Sequence, residues 1–168
     1  MSSDRLSGMS QAQRDRLAFV ELRLRFMGEI RRQDLVARFD IQAAAATRDI
    51  AQYKELAPGN MEYDTKGKVY VRAAWFRPLF DFPVERVFTW LSQGYGDAEP
   101  ARFRGVIATE GTSLPGRVDL ELLSTLTRAI HRGAAGKIPY RALSSGLTTR
   151  EIVLVALADS GLRWHLRA

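Results

Sequence analysis

"IQAAAATRDIAQYKELAPGNMEYDTKGKVYV", residues 41–71, changes its hydrophobic period once, and that change decides the fold. Up to Leu56 it reads as a helix. Ala46, Ile50 and Tyr53 share one face at about 100° per residue, with Ile50 as the buried anchor. Pro58-Gly59 stops the helix. Beyond it Met61, Tyr63, Val69 and Val71 alternate with polar neighbours about "DTKG", the mark of a two-stranded hairpin.

Two further helices precede this stretch. Residues 11–27 carry Leu17, Val20, Leu24 and Met27 as one helical stripe, backed by Phe19, Leu22 and Phe26, and Gly28 ends it. "RRQDLVARFD" then gives a short helix with Leu35, Val36 and Phe39 inward, closing at Asp40, and Ile41 plugs the turn. Three helices followed by a hairpin make a winged helix-turn-helix pattern. The second helix of a helix-turn-helix reads base edges with its N-terminal half.

On that third helix, expected over residues 42–56, Ala44, Ala45, Thr47, Arg48 and Ala51 fall outward or sideways. Arg48 suits a guanine or a phosphate, Thr47 a phosphate or a base, and Gln42 at the helix start the backbone or an adenine. The alanines let the helix lie deep in a groove and meet thymine methyls, but supply no hydrogen-bonded code. Alanine also has the highest helix propensity, so the run alone requires no ligand; the preceding helix, the tight turn and the hairpin carry the inference. Lys66, Lys68 and Arg72 on the hairpin suit sugar-phosphate contact as a wing. Arg32 and Gln52 complete the expected DNA-contacting set.

The totals agree with such a partner. The 168 residues hold 25 Lys and Arg against 19 acids, a net charge of +6, which favours acidic partners. The excess is spread along the chain, so affinity for DNA has to come from folded geometry. There is no cysteine, which excludes disulfides and cysteine-ligated zinc and fits a reducing cytoplasm. No apolar stretch approaches the roughly 18 residues of a membrane span, and a cytoplasmic location without membrane contact is expected.

Past the hairpin, "PVERVFTWLSQ" reads as a linker helix with Val84, Val87, Phe88 and Leu91 on one side, and "GYGDAEP" as a loop and hinge. "FRGVIATEG" reads as a strand. "VDLELLSTLTRAIHRG" reads as an amphipathic helix with Leu120, Leu123, Leu126 and Ile130 inward. Three strand-like runs close the chain, "KIPYRAL", "REIVLVALAD" and "LRWHLRA", separated by "SSGLTT" and "SG".

Catalytic and metal chemistry find no support. His131 and His165 are the only histidines, and neither has a Glu-x-x-His or His-x-x-x-His neighbour. "SSGLTT" lacks a nearby base or a nucleophile elbow, so its hydroxyls read as turn residues. No phosphate loop and no carboxylate pair stand out; no enzyme, no cofactor and no metal are expected.

"RFDIQAAAATRDIAQYKELAPGNMEYDTKGKVYV" resembles the winged-helix start of WYL-domain transcriptional regulators, in the BrxR and CapW branch that controls phage-defence operons. "KIPYRALSSGLTTREIVLVALADSGLRWHLRA" resembles the WYL module of the same branch, with Trp164-His165-Leu166 at the motif that names it. The resemblance implies a homodimeric repressor on a palindromic operator in double-stranded DNA, with a small Sm-like barrel that senses a nucleotide or nucleic-acid effector. It also places Tyr140, Ser144, Ser145, Arg150, Trp164 and His165 around the effector pocket. Three departures stand out. Gln42 and the alanines replace the usual serine and polar side chains of the recognition helix. Arg150-Glu151-Ile152-Val153-Leu154-Val155 replaces the usual Arg-x-Val-x-Pro-His. The chain ends just after Trp164-His165-Leu166, where family members continue.

The expected class is therefore α+β: a winged helix-turn-helix DNA-binding domain over residues 1–75, a linker and dimerisation region over 76–118, and a partial WYL module, an incomplete Sm-like β-barrel, over 119–168. Strands lacking their barrel partners are expected to be covered by a partner subunit or poorly ordered. The function expected is transcriptional repression of a phage-defence operon. The alternative is an interaction protein that pairs with a full-length regulator and modulates it, since the reader is blunted and the sensor incomplete.

Overall fold

A computed structural model describes residues 6–93, 109–110, 118–142, 146–159 and 164–168. The chain divides into two compact units, Met1–Asp81 and Phe82–Ala168.

The first unit opens with α1 (Gln11–Leu22), capped by Ser10, whose hydroxyl accepts from the Gln13 amide. The helix runs on without a break into a π-helical turn (Arg23–Met27). Gly28 ends it in the left-handed region at φ 85°, where a side chain would be strained. Leu17, Val20, Leu24, Met27, Phe19, Leu22 and Phe26 are all buried, as the stripe requires. Next come β1 (Glu29–Ile30) and α2 (Arg32–Phe39), which closes at Asp40 with φ 51°. α3 (Ala43–Leu56) follows, with Gln42 as its N-cap. Leu35 is fully buried in α2, whereas Val36, Phe39 and Ile41 are half-buried.

The hairpin forms from β2 (Met61–Asp64) and β3 (Val69–Arg72), in register from Met61↔Arg72 to Asp64↔Val69. β1 adds on the other side of β3, through Glu29↔Val71 and Ile30↔Tyr70, giving the order β1-β3-β2. A two-residue strand leaves no periodicity to read, so the sequence showed only the hairpin. Tyr63 departs from the expected inward alternation: it is exposed, and its ring packs 4.9 Å from that of Tyr70 across the hairpin. Aromatic cross-strand pairing holds it on the open face.

The most buried polar group of this unit lies on the α1 stripe itself. Glu21 is fully buried, and its carboxylate accepts three hydrogen bonds: from the Tyr53 hydroxyl at 2.9 Å, the Leu79 N–H at 2.8 Å and the Phe80 N–H at 2.8 Å. Tyr53 in turn accepts from Asn60 Nδ2 at 3.0 Å. Asn60 also clamps the Arg77 backbone, donating to its carbonyl at 2.7 Å and accepting from its N–H at 2.8 Å. This chain of bonds ties α1 and α3 to the segment after the wing.

The second unit holds α4 (Val84–Gln93), with Val87, Phe88, Trp90 and Leu91 buried and Val84 half-buried. The Phe82 and Trp90 rings meet edge-on at 5.0 Å. α5 (Leu120–Arg132) is capped by Asp119, whose carboxylate accepts from the Glu121 and Leu122 amides; Leu123 is buried and Leu120, Leu126 and Ile130 half-buried. β5 (Ala135–Ala142) and β6 (Gly146–Val153) form an antiparallel ribbon from Ala135↔Val153 to Ala142↔Gly146. β7 (Ala156–Asp159) lies between β4 (Thr109–Glu110), which is parallel to it, and β8 (Trp164–Arg167), which is antiparallel.

This corrects two expectations. "REIVLVALAD" is not one strand but the end of β6 and all of β7, divided at Leu154 and Val155. The "GLTT" of the expected turn belongs to β6, because Gly146 to Thr149 pair with β5. An eight-residue partner strand overrode turn-like composition. The architecture is mixed α+β, and among the described residues the strands close no barrel. The "GYGDAEP" hinge lies outside the described residues, as does all of the "FRGVIATEG" strand except Thr109 and Glu110.

Burial raises the Glu21 pKa above the ordinary carboxylate range, outweighing the Phe80 and Leu79 N–H groups, the Tyr53 hydroxyl and the Arg25 charge, which act the other way. The folded chain therefore holds this proton more tightly than the unfolded chain. The Glu21 contribution to stability is greatest below the ordinary carboxylate range and declines as pH rises through the raised value. Thermal melts of the wild type and Glu21→Gln, run upward from about pH 4, near the ordinary carboxylate value, should show the wild type losing stability relative to the variant as pH rises. A constant difference between the two would show that Glu21 does not titrate in this window.

Candidate nucleic-acid interface

α3 has two faces with opposite chemistry. Ala46, Asp49, Ile50 and Tyr53 are buried, and Gln42, Ala43, Ala44, Thr47, Arg48 and Ala51 are exposed. Ala45 is half-buried. Over residues 43–51 the one carboxylate, Asp49, is turned inward, where Arg16 of α1 holds it with two bonds, Nε to Oδ2 at 2.6 Å and Nη2 to Oδ1 at 3.3 Å. The exposed face of these turns thus presents methyl groups, one hydroxyl and the Arg48 guanidinium, with no acid. The Thr47 hydroxyl donates to the Ala43 carbonyl at 2.9 Å, so its proton is used within the helix and its oxygen is left as an acceptor.

The other expected residues fall into two groups. Arg32 at the start of α2, Gln42, Ala44, Thr47 and Arg48 are exposed, as are Lys66 and Lys68 at the wing turn. Gln42 makes no side-chain capping bond. Two residues are committed to packing. Gln52 is half-buried, accepting from Gln13 Nε2 at 2.5 Å and donating to Met9 Sδ at 3.9 Å. Arg72 is half-buried with its guanidinium 4.9 Å over the Phe76 ring. Gln13 on the neighbouring helix meets the Gln52 side chain.

Residues that the spacing did not single out shape this surface. Asp49 stands three residues after Ala46 and four before Tyr53, which marks it as inward-facing; its partner Arg16 has no such local signal. Arg31, exposed at the N-cap of α2, donates from Nη1 to the Gly67 carbonyl of the wing turn at 2.7 Å.

Of the expected effector pocket, Tyr140 and Arg150 come together on the β5–β6 ribbon, the guanidinium 3.9 Å over the ring. Both are exposed. His165 is exposed on β8, in the other sheet, paired with Ala158. Trp164 belongs to β8, and Ser144 and Ser145 lie outside the described residues. Among the described residues no cluster of three His, Asp or Glu gathers to hold a metal ion, and no helix is long and apolar enough to cross a membrane.

α1, the α2–α3 pair and the three-stranded β1-β3-β2 sheet define a winged helix-turn-helix. Residues 12–93 match the BrxR transcriptional regulator winged helix-turn-helix domain. The whole chain is similar to a "DNA-binding transcriptional repressor CapW" of Stenotrophomonas maltophilia, 34% identical over 175 residues, covering 100% of this chain and 58% of that protein. Proteins of the same name from Escherichia coli (strain KTE188) and Pseudomonas aeruginosa are 31% and 30% identical, each covering 96% of this chain and 56% of the relative. The chain thus spans less than two thirds of the length of these curated relatives.

The Arg16–Asp49 pair sets how α3 sits against α1. Arg16→Ala leaves a buried carboxylate without its cation and should destabilise the chain by roughly 2–3 kcal/mol, below the cost for a fully dry pair because Arg16 reaches solvent. Urea denaturation measures it. Replacing both partners with apolar residues should recover most of the loss, and equal losses in the single and double variants would show that the pairing is not what matters.

Proposed function

We propose that this chain is a DNA-binding transcriptional repressor that acts as a homodimer on a palindromic operator, with α3 in the major groove and the β2–β3 hairpin as a wing on the backbone. The observation that carries this reading is the exposed face of α3. Over residues 43–51 it is free of acids and carries small side chains around a central Arg48, within a BrxR-type winged helix. A carboxylate on that face would repel phosphates, and the only one in this stretch is buried and paired. The similarity to CapW repressors along the chain supports the same reading.

Arg48 reads a base or clamps a phosphate, and Lys66 and Lys68 hold phosphates from the wing. The alanines admit the helix to the groove. Phage-defence genes are the regulated class, and a nucleotide or nucleic-acid effector acts on the second unit. The protein works in the cytoplasm, where its operator is. Two half-sites read by the dimer lie one or more helical turns apart, about 10 base pairs each.

Fluorescence anisotropy with a duplex from upstream of the protein's own gene, against a scrambled duplex and over a salt series, tests this. A steep salt slope with preference for the native duplex is expected. Arg48→Ala should weaken specific binding by about 1–3 kcal/mol if it reads a base, and Lys66→Ala should lower the slope by about 1. Absence of binding at low salt would overturn the repressor reading and favour the partner-modulating one.

A further inference from the structure

The hairpin is fastened to the helix-turn-helix at both ends. At its base, β1 pairs with β3, and the Arg72 N–H donates to the Gly28 carbonyl at 2.8 Å. At its tip the fastening is a side chain. Arg31 Nη1, from the N-cap of α2, donates to the Gly67 carbonyl at 2.7 Å. Arg31 is itself anchored: its backbone N–H donates to Asp34 Oδ2 at 2.7 Å, and Arg23 of the π-helical turn reaches the same carboxylate oxygen at 3.4 Å.

The turn that Arg31 grips has a defined shape of its own. Asp64 Oδ1 accepts from the Lys66 N–H at 2.9 Å. A β-carbon at Gly67 would lie 2.8 Å from Asp64 Oδ2 and 3.1 Å from Val69 Cγ1, so any larger residue would have to displace the Asp64 carboxylate. Lys68 follows in the left-handed region at φ 50°. Lys66 and Lys68 thus flank the one carbonyl that Arg31 holds, and both are exposed.

We infer that Arg31 is a positioning residue: by holding the Gly67 carbonyl it fixes the wing tip relative to the helix-turn-helix, so that Lys66 and Lys68 are ordered for phosphate contact before DNA arrives. Ordering long side chains on a loose loop would otherwise cost free energy at each encounter. The phosphate half of this inference rests on the proposed DNA binding; the holding of the tip does not. The rival role for an exposed arginine at a helix start is direct phosphate contact, and the two roles predict different numbers.

Amide hydrogen exchange in the free, full chain is the test of the holding. In Arg31→Ala the Lys66 amide should exchange about tenfold faster as the tip opens, while the Arg72 amide at the wing base keeps its rate and shows that the domain remains folded. An unchanged Lys66 rate overturns the inference whether or not the chain binds DNA. Salt titrations of duplex binding then read the consequence. Losing two wing contacts should lower the slope by about 2, at roughly 0.9 per phosphate. That same drop is expected for Arg31→Ala, for the Lys66→Ala/Lys68→Ala pair and for all three combined. A drop of about 1 for Arg31→Ala and about 3 for the triple variant would make Arg31 a direct phosphate contact instead. If the lysine pair leaves the slope unchanged, the wing reading fails and with it the phosphate half, while the exchange rates still decide the holding.

Discussion

The geometry of the first unit depends on one buried carboxylate. Glu21 sits among Leu17, Val20 and Leu24, where an unpaired charge would cost several kcal/mol. It persists because three donors from two distant parts of the chain converge on it, the Tyr53 hydroxyl from α3 and the Leu79 and Phe80 amides from the segment beyond the wing. Each donor can be satisfied only if α1, α3 and that segment hold one relative arrangement. An apolar side chain at this position would tolerate small rotations of α3, whereas a three-donor network does not. Hydrophobic burial makes the helices pack, and the carboxylate selects how they pack.

This division of labour was half legible in the sequence. Apolar periodicity placed the three helices and the hairpin because burial is periodic, and Ala46, Ile50 and Tyr53 turn inward as spacing requires. The polar network was hidden because its partners are far apart: Glu21 meets Tyr53 across 32 positions and Phe80 across 59. One signal was present. Glu21 stands four residues after Leu17 and three before Leu24, inside the stripe, and a charged residue there implies a buried partner. Gln52 shows the same limit, since nothing local in the sequence tells of Gln13 on the neighbouring helix that comes to meet it.

In the second unit, composition misled at one particular place. Seven apolar residues in a row, "IVLVALA", carry no mark of the break at Leu154–Val155, because a sheet strand is bounded by its partner's length as much as by its own residues. β6 ends where β5 begins, at Val153↔Ala135, and β7 then serves a different sheet. Gly146, with φ 71°, lets β6 start inside what reads as a turn. Such boundaries belong to pairing, and pairing is not a local property of sequence.

The alanine face and the tethered wing fit one scheme on the proposed reading. A recognition helix that offers methyl groups, a hydroxyl already bonded to its own backbone and one guanidinium can form few hydrogen bonds to base edges. Most of its affinity then has to come from phosphates, and its discrimination from groove shape and from where those phosphates lie. Phosphate positions carry sequence information only to a rigid reader, because a floppy cation follows the backbone wherever it goes. Glu21 fixes α3 against α1, Arg16 and Asp49 reinforce that docking, and Arg31 fixes the wing tip against α2. A protein that reads little by direct contact is the kind that gains most from holding its few contacts still.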